Sequence, residues 1–327
     1  MASGGLGRRR VRRMRFGAHL PLLDLDPAAA RPLSHYLEAA RAAGFDSVSA
    51  NDHLLFRRPW LDGIVALASL AERSADLTLA TTVALPVIRG PIALAKAAAA
   101  LADLSGGRFV LGVGAGSSPE DHAAVGLRFE ERWQRFDEAV VVLRALLAGG
   151  PAPVAPRFYE LPEGFAPRPD RPVAVWIGSW GSAAGLRRVA RLGDGWLASA
   201  YNTTPQRLAA GRAELRTALR AEGRSDDSVP VALATTWTYL TESRGTAQTM
   251  LAGLAAMLNR DPVALAEQVL VGPAGECAEK LARYAEAGVG TVYVWPVEDA
   301  VAQVRRFGAE VIPRLSGELA EPWGGVH

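Results

Sequence analysis

The 327-residue chain has a single cysteine, Cys277, which excludes an internal disulfide and any cluster of thiolate metal ligands. Histidine is sparse too. His19, His35, His53, His122 and His327 are scattered without the i, i+4 spacing of a helical zinc site, so no metal is expected. Uninterrupted apolar runs of membrane-spanning length are missing, and the charged N-terminus is not followed by a hydrophobic segment with a small-residue cleavage site. These absences predict a cytoplasmic chain with no membrane partner. Charge of one sign is also scarce: the net charge is +2, and the excess lies in the first thirteen residues, where Arg8, Arg9, Arg10, Arg12 and Arg13 sit in a Gly-rich stretch. Without interleaved aromatics this arm does not read as a nucleic-acid-binding element. Residues 1–13 are therefore expected to be a disordered tail, with Met14 marking an upstream start or extension, and 316–327 a C-terminal tail.

What the chain has in quantity is apolar surface, 49% of its residues, and a length that suits one α/β barrel with insertions. Short β-branched runs alternate with longer Ala/Leu/Arg stretches at helical spacing, the pattern of parallel strands joined by crossover helices. The runs predict eight strands, at 15–20, 47–50, 77–84, 109–113, 173–177, 195–198, 231–239 and 291–295. Helices are predicted at 33–43, 60–74, 92–104, 131–147, 183–192, 205–221 and 275–287, with 300–315 closing the ring. The fold class is thus α/β, a (β/α)8 TIM barrel over 14–315, with insertions after strands 4 and 7. The first, 149–171, is proline-rich; the second, 243–271, holds an extra amphipathic helix pair. Excursions leaving the C-terminal ends of barrel strands are expected to shape a substrate mouth.

Val175-Trp176-Ile177-Gly178-Ser179-Trp180-Gly181-Ser182, closed by Gly193-Asp194-Gly195-Trp196, reads as a strand, a glycine/serine turn and a helix start. Free backbone N–H groups at a helix N-terminus suit an anion, and Gly178 and Gly181 let the backbone approach it. The same residues are equally an ordinary strand-to-helix loop capped by Ser182. Asp52 and His53 follow the second strand, at the rim where barrel enzymes place reacting groups. A His there exchanges protons near neutral pH, and the carboxylate orients it or bonds a cofactor ring; alternatively Asp52 caps the next turn and His53 is packed. Thr82-Val83 ends the third strand and Gly112-Val113-Gly114-Ala115-Gly116-Ser117 the fourth. Those glycines allow close approach of a flat ring but lack the spacing of a dinucleotide fingerprint. Trp180, Trp196, Trp237 and Trp295 fall at strand ends and would ring one opening as an apolar pocket.

Together the segments 49–53, 101–116, 129–138, 176–182 with 193–196, and 271–289 resemble the bacterial luciferase-like flavin/deazaflavin oxidoreductase superfamily, over nearly all of 14–315. The resemblance implies an α/β barrel with its cofactor at the C-terminal mouth. It implies that Asp52 and His53 face the ring, with His53 moving the proton. It places Thr82-Val83 where many relatives have a non-proline cis peptide, lines the ribityl side with Gly114, Gly116 and Ser117, and sets the cofactor phosphate on Gly178, Ser179, Trp180, Gly181 and Ser182. Asp-His after strand two resembles the coenzyme F420 branch more than the FMN branch. The implied function is F420-dependent hydride transfer to or from a largely apolar organic substrate. The alternatives are an FMN-dependent monooxygenase fed by a reductase partner, and a non-catalytic cofactor-binding paralogue. Ser117 stands where sugar-phosphate dehydrogenases of the F420 branch carry Glu, which speaks against glucose 6-phosphate. A homodimer is expected from the resemblance alone.

Overall fold

The strands are buried on both faces, and their period of two sorts alternate side chains into two cores. Val175 and Ile177 point outward to the helices, whereas Trp176 between them points inward. The computed structural model describes residues 13–23, 33–149 and 156–315. Apart from Arg13, the expectations for the two terminal tails lie outside those residues. Nine strands are described: β1 (Arg15–His19), β2 (Ser47–Ala50), β3 (Thr78–Thr81), β4 (Phe109–Val113), β5 (Ala174–Ser179), β6 (Gly195–Ser199), β7 (Val231–Leu240), β8 (Leu270–Gly272) and β9 (Thr291–Pro296). Each of β1 to β6 pairs in parallel with the next, β6 pairs with β7, β7 with β9, and β9 with β1. Eight parallel strands thereby close a barrel, and they are the eight read from the sequence. The ninth, β8, is an unpredicted three-residue strand alongside Thr238–Leu240 of β7, too short to show a period.

Helices α1 (Leu33–Ala42), α2 (Gly63–Ala68), α3 (Pro86–Arg89), α4 (Pro91–Leu104), α5 (Pro119–Ala124), α6 (Arg132–Ala148), α7 (Ala183–Leu192), α8 (Pro205–Ala221), α9 (Arg244–Leu258), α10 (Pro262–Ala266), α11 (Ala274–Glu286), α12 (Ala300–Glu310) and α13 (Ile312–Leu315) surround it. Five of them open on proline, whose fixed φ and missing N–H suit the first helical position. The outer core lies between barrel and helices. There Phe16 of β1 meets Phe307 of α12 edge-on at 5.4 Å, both buried, and each such ring contributes about 1.5–3 kcal/mol. The inner core fills the barrel with Ala80, Leu197, Ala232, Trp237, Tyr293 and Trp295. Gly17 makes this possible, since a Cβ there would lie 2.3 Å from the Tyr293 ring. No helix among the described residues is long and apolar enough to cross a membrane.

The two insertions differ in kind. The proline-rich stretch follows α6, where helix returns to strand, so it does not leave the end of β4 as expected. Its described part lies on the outside of the helical layer: the Glu138 carboxylate of α6 accepts the N–H groups of Arg157, Phe158 and Tyr159, and Lys96 of α4 donates to the Ala166 carbonyl. The stretch after β7 holds two helices. Its helices α9 and α10 bring Leu254, Ala255 and Leu265 against Trp237 and Trp295 over the barrel interior. Lys280 of α11 holds the far end by donating to the carbonyls of Ala266 and Val269, each at 2.6 Å.

Candidate functional site

Because all barrel strands run in parallel, their C-terminal ends open on one face, and the residues singled out in the sequence follow β2, β3, β4 and β5 on that face. At the rim after β2, Asp52 is buried and receives a bidentate ion pair from Arg89 of α3, at 2.6 and 2.8 Å. The Leu85 N–H adds a bond of 3.2 Å to the same carboxylate, so Asp52 ties the β2 rim to the loop after β3. Arg89 also reaches Asp62, whose other oxygen accepts the Ile64 and Val65 N–H groups that open α2. Burial pushes the Asp62 carboxyl up, but the Val65 N–H and the Arg89 guanidinium outweigh it and hold the carboxyl below its ordinary value. Arg89 itself is driven well above the ordinary guanidinium value, first by its bond to Asp52.

His53 is half-buried beside Asp52 but faces a different carboxylate. Its Nδ1 lies 3.9 Å from Oδ2 of Asp121, a residue of α5 that is 2% exposed in its side chain. The other oxygen of Asp121 accepts the Leu55 N–H at 2.8 Å, and Ser118 caps α5 by accepting the Asp121 N–H. The imidazole packs against the rings of Phe56 and Trp60, at 5.0 and 4.7 Å between centroids. Burial lowers its pKa below 6.5, and the charges of Asp121 and then Asp52 partly offset this. The group is neutral near pH 7, able to accept a proton at one nitrogen while giving one from the other.

The floor between these rims and β5 is built by deletion of side chains. The Thr82–Val83 peptide is cis, as the resemblance implied. Val83 projects over Gly114 and Gly178, where an added Cβ would come within 2.7 and 3.2 Å of its methyl groups. Gly116 (φ +82°) lies farther out, against His122, and Ser117 is exposed. In the turn after β5, Ser179 accepts the Gly181 N–H and Ser182 the Gly185 N–H, both at 3.2 Å. The remaining N–H groups of the first turn of α7, those of Ala183 and Ala184, have no acceptor among the described residues. Gly181 takes a φ of +89°, and Trp196 pins the turn by donating to the Ser179 carbonyl at 3.0 Å. Gly195 keeps clear of Trp176, which an added Cβ would meet at 2.2 Å.

The predicted ring of tryptophans needs correction. Trp196 is turned outward, buried against Leu186 and Gly211, and Trp180 is 61% exposed. Trp237 and Trp295 do line the interior, and Trp60 and Trp176 join them. Trp237 faces inward because β7 is interrupted at Thr235 (φ +55°), where the register with β9 shifts and reverses the parity of the following residues. Trp295 stacks on His19 at 3.5 Å between centroids. His19 Nδ1 meets the Ser49 hydroxyl at 3.0 Å and its Nε2 the Asn51 amide oxygen at 3.1 Å; burial lowers its pKa to about 3. The indole nitrogens of Trp60, Trp237 and Trp295 and the hydroxyl of Thr82 are buried without partners among the described residues, which suits a site that takes a polar ligand atom.

The structure therefore brings Thr82, Val83, Gly114 and Gly178 together and joins Asp52 to them through Leu85. Sequence reasoning missed Arg89, Asp121 and His19. For Asp121 a signal was present: Ser118-Pro119-Glu120-Asp121 is a helix-capping pattern directly after the fourth-strand glycines. Arg89 and His19 carry none, because their partners lie 37 and about 30 residues away.

A family profile described as luciferase-like monooxygenase matches residues 14–261. An uncharacterised Mycobacterium tuberculosis protein is 32% identical over 181 residues, 49% of this chain; the aligned part spans 62% of that relative's length. The F420-dependent glucose-6-phosphate dehydrogenase of Microbacterium testaceum is 28% identical over 314 residues, 86% of this chain and 92% of the relative. The Mycobacterium tuberculosis F420-dependent hydroxymycolic acid dehydrogenase is 26% identical over 303 residues, 86% of this chain and 83% of the relative. Among solved structures, an F420-dependent secondary alcohol dehydrogenase bound to an F420–acetone adduct superposes with a TM-score of 0.81 at 20% identity, covering 93% of this chain and 99% of that one. A monooxygenase of Streptomyces bottropensis gives 0.76 at 23%, covering 92% and 99%.

Proposed function

The chain belongs to the luciferase-like monooxygenase family, and from that membership we propose that it is a coenzyme F420-dependent oxidoreductase moving hydride to or from a largely apolar organic substrate. The observation that carries this reading is the floor on the same rim as His53, where Gly114 and Gly178 make room for the Val83 side chain to lie flat across them. The residues fit a flat phosphorylated cofactor. Val83 and the two glycines would support its ring, while Gly181 and the first-turn N–H groups of α7 would take its phosphate. A bound deazaflavin supplies hydride transfer without oxygen activation. Asp52, fixed by Arg89, holds the rim in place. His53 takes or gives the proton at the substrate oxygen, and its lowered pKa keeps it available as a base down to mildly acidic pH. Trp60, Trp176, Trp237 and Trp295 exclude water and offer apolar walls, which supports a substrate of that character.

The choice of F420 rests on the names of the relatives that align over most of the chain and on Asp52-His53. A second reading, an FMN-dependent monooxygenase served by a reductase, is favoured by the family description and the Streptomyces neighbour, since the α7 turn suits the phosphate of either cofactor. Glucose 6-phosphate is not proposed, because Ser117 is small and exposed where the resemblance calls for Glu. His53→Ala tests the proton role. Turnover with F420 should fall about 100-fold or more while cofactor affinity changes little, and unchanged turnover removes His53 from the chemistry.

A further inference from the structure

Two carboxylates stand near His53, and their surroundings separate their roles. Asp52 is spent on Arg89 and on the Leu85 N–H. Asp121 has one oxygen on the Leu55 N–H and the other facing His53 Nδ1. We propose that Asp121 is the positioning residue for His53: its Oδ2 holds the imidazole with the proton on Nδ1, leaving Nε2 as the nitrogen that exchanges protons, while its Oδ1 fixes the loop that carries the ring. The inference rests on the proton role given to His53 above for its purpose, though not for its geometry.

The pieces come from separate parts of the chain. Ser118 caps the short helix α5, setting Asp121 in its first turn, and the buried carboxylate meets the loop after β2. A spacing of 3.9 Å is beyond a hydrogen bond but within reach of an electrostatic hold, and catalytic hydrogen bonds are often this long before substrate binds. From the other side the ring is bounded by Phe56 and Trp60, which limit its rotation. The ionisable groups acting on it are Asp121 from α5 and Asp52 from the end of β2, both of which favour the protonated form, against burial, which disfavours it.

A purely structural role, clamping Leu55, is separable from a role toward His53. Asp121→Asn keeps an oxygen acceptor for the Leu55 N–H, removes the charge and puts an amide donor in place of the oxygen that faces His53 Nδ1. The full-length protein without added cofactor, labelled with 15N-histidine, reports the titration and tautomer of His53 directly, with the signal assigned by its loss in His53→Gln. The expected result is a neutral wild-type imidazole protonated mainly on Nδ1. In D121N its pKa falls by about one unit and the Nδ1–H preference is lost. Asp121→Glu, which restores the charge, should return both toward wild type. A D121N protein in which His53 titrates and tautomerises as in wild type overturns the proposal. In turnover assays the acid limb of kcat should move down with the same shift, with KM nearly unchanged. If His53→Ala leaves turnover intact, the proton role fails, and the NMR comparison still decides whether Asp121 orients the ring.

Discussion

At the scale of single residues, the barrel interior is governed by a histidine that never takes a proton under ordinary conditions. His19 is fully buried, its two ring nitrogens meet Ser49 and Asn51, and its face supports Trp295. The neutral tautomer with the proton on Nε2 satisfies both partners, donating to the Asn51 oxygen and accepting from the Ser49 hydroxyl. Its folded pKa of about 3 lies below the unfolded value of 6.5, so between those limits the unfolded chain binds the extra proton. Stability from this residue is fully present above 6.5 and is lost as pH falls toward 3, with a slope of up to about 1.4 kcal/mol per pH unit. Urea unfolding at pH 7 and pH 5 should therefore show a larger loss for wild type than for His19→Gln, by about 2 kcal/mol. Equal losses would show that His19 is already solvated in the folded state. The ring's position inside the barrel was not legible in the sequence, where His19 is one more isolated histidine at a strand end.

At the scale of elements, what was readable depended on length. Most of the barrel strands are apolar runs bounded by turn residues, and α7 and α8 carry both a cap and an apolar stripe. The four-residue α3 and six-residue α5 are too short for an apolar stripe, and only α5 has a side-chain cap, yet they carry Arg89 and Asp121, the partners of the two residues that were recognised. Parity also misled where a bulge or a neighbour reversed it. Trp196 follows Gly195, whose inward position sends the indole outward, whereas the interruption at Thr235 turns Trp237 in. The glycine floor is the element-scale feature most open to test. Gly114→Ala places a methyl 2.7 Å from Val83 and should cost about 1–3 kcal/mol of stability, with weakened cofactor binding. Adding Val83→Ala should recover most of the stability, giving a coupling of about 1 kcal/mol or more in a double-mutant cycle, whereas additive losses would mean that the two residues do not share the space.

At the scale of the whole molecule, a closed parallel barrel with one insertion laid over its mouth explains why the site is assembled from residues so far apart in sequence. The stretch after β7 covers the interior with α9 and α10, while the proline-rich stretch, equally prominent in the sequence, ends on the outer helical layer. Proline content announced the first excursion, but whether a stretch follows a strand or a helix decides which face it reaches. The strand, turn and helix start at Gly178 to Ser182 were legible from the glycines and serines, and an anion there is part of the proposed function. The turn's serines prove to spend themselves on Gly181 and Gly185, leaving the N–H groups of Ala183 and Ala184 for a ligand. That turn does not choose between two phosphorylated cofactors, and the choice is what the function rests on. The direct measurement is an equilibrium titration of the purified protein with oxidised F420 and, separately, with FMN, followed through tryptophan fluorescence. Saturable F420 binding at least about tenfold tighter than FMN, a difference of about 1.4 kcal/mol, is the predicted result; tight FMN binding with no saturation by F420 would contradict it.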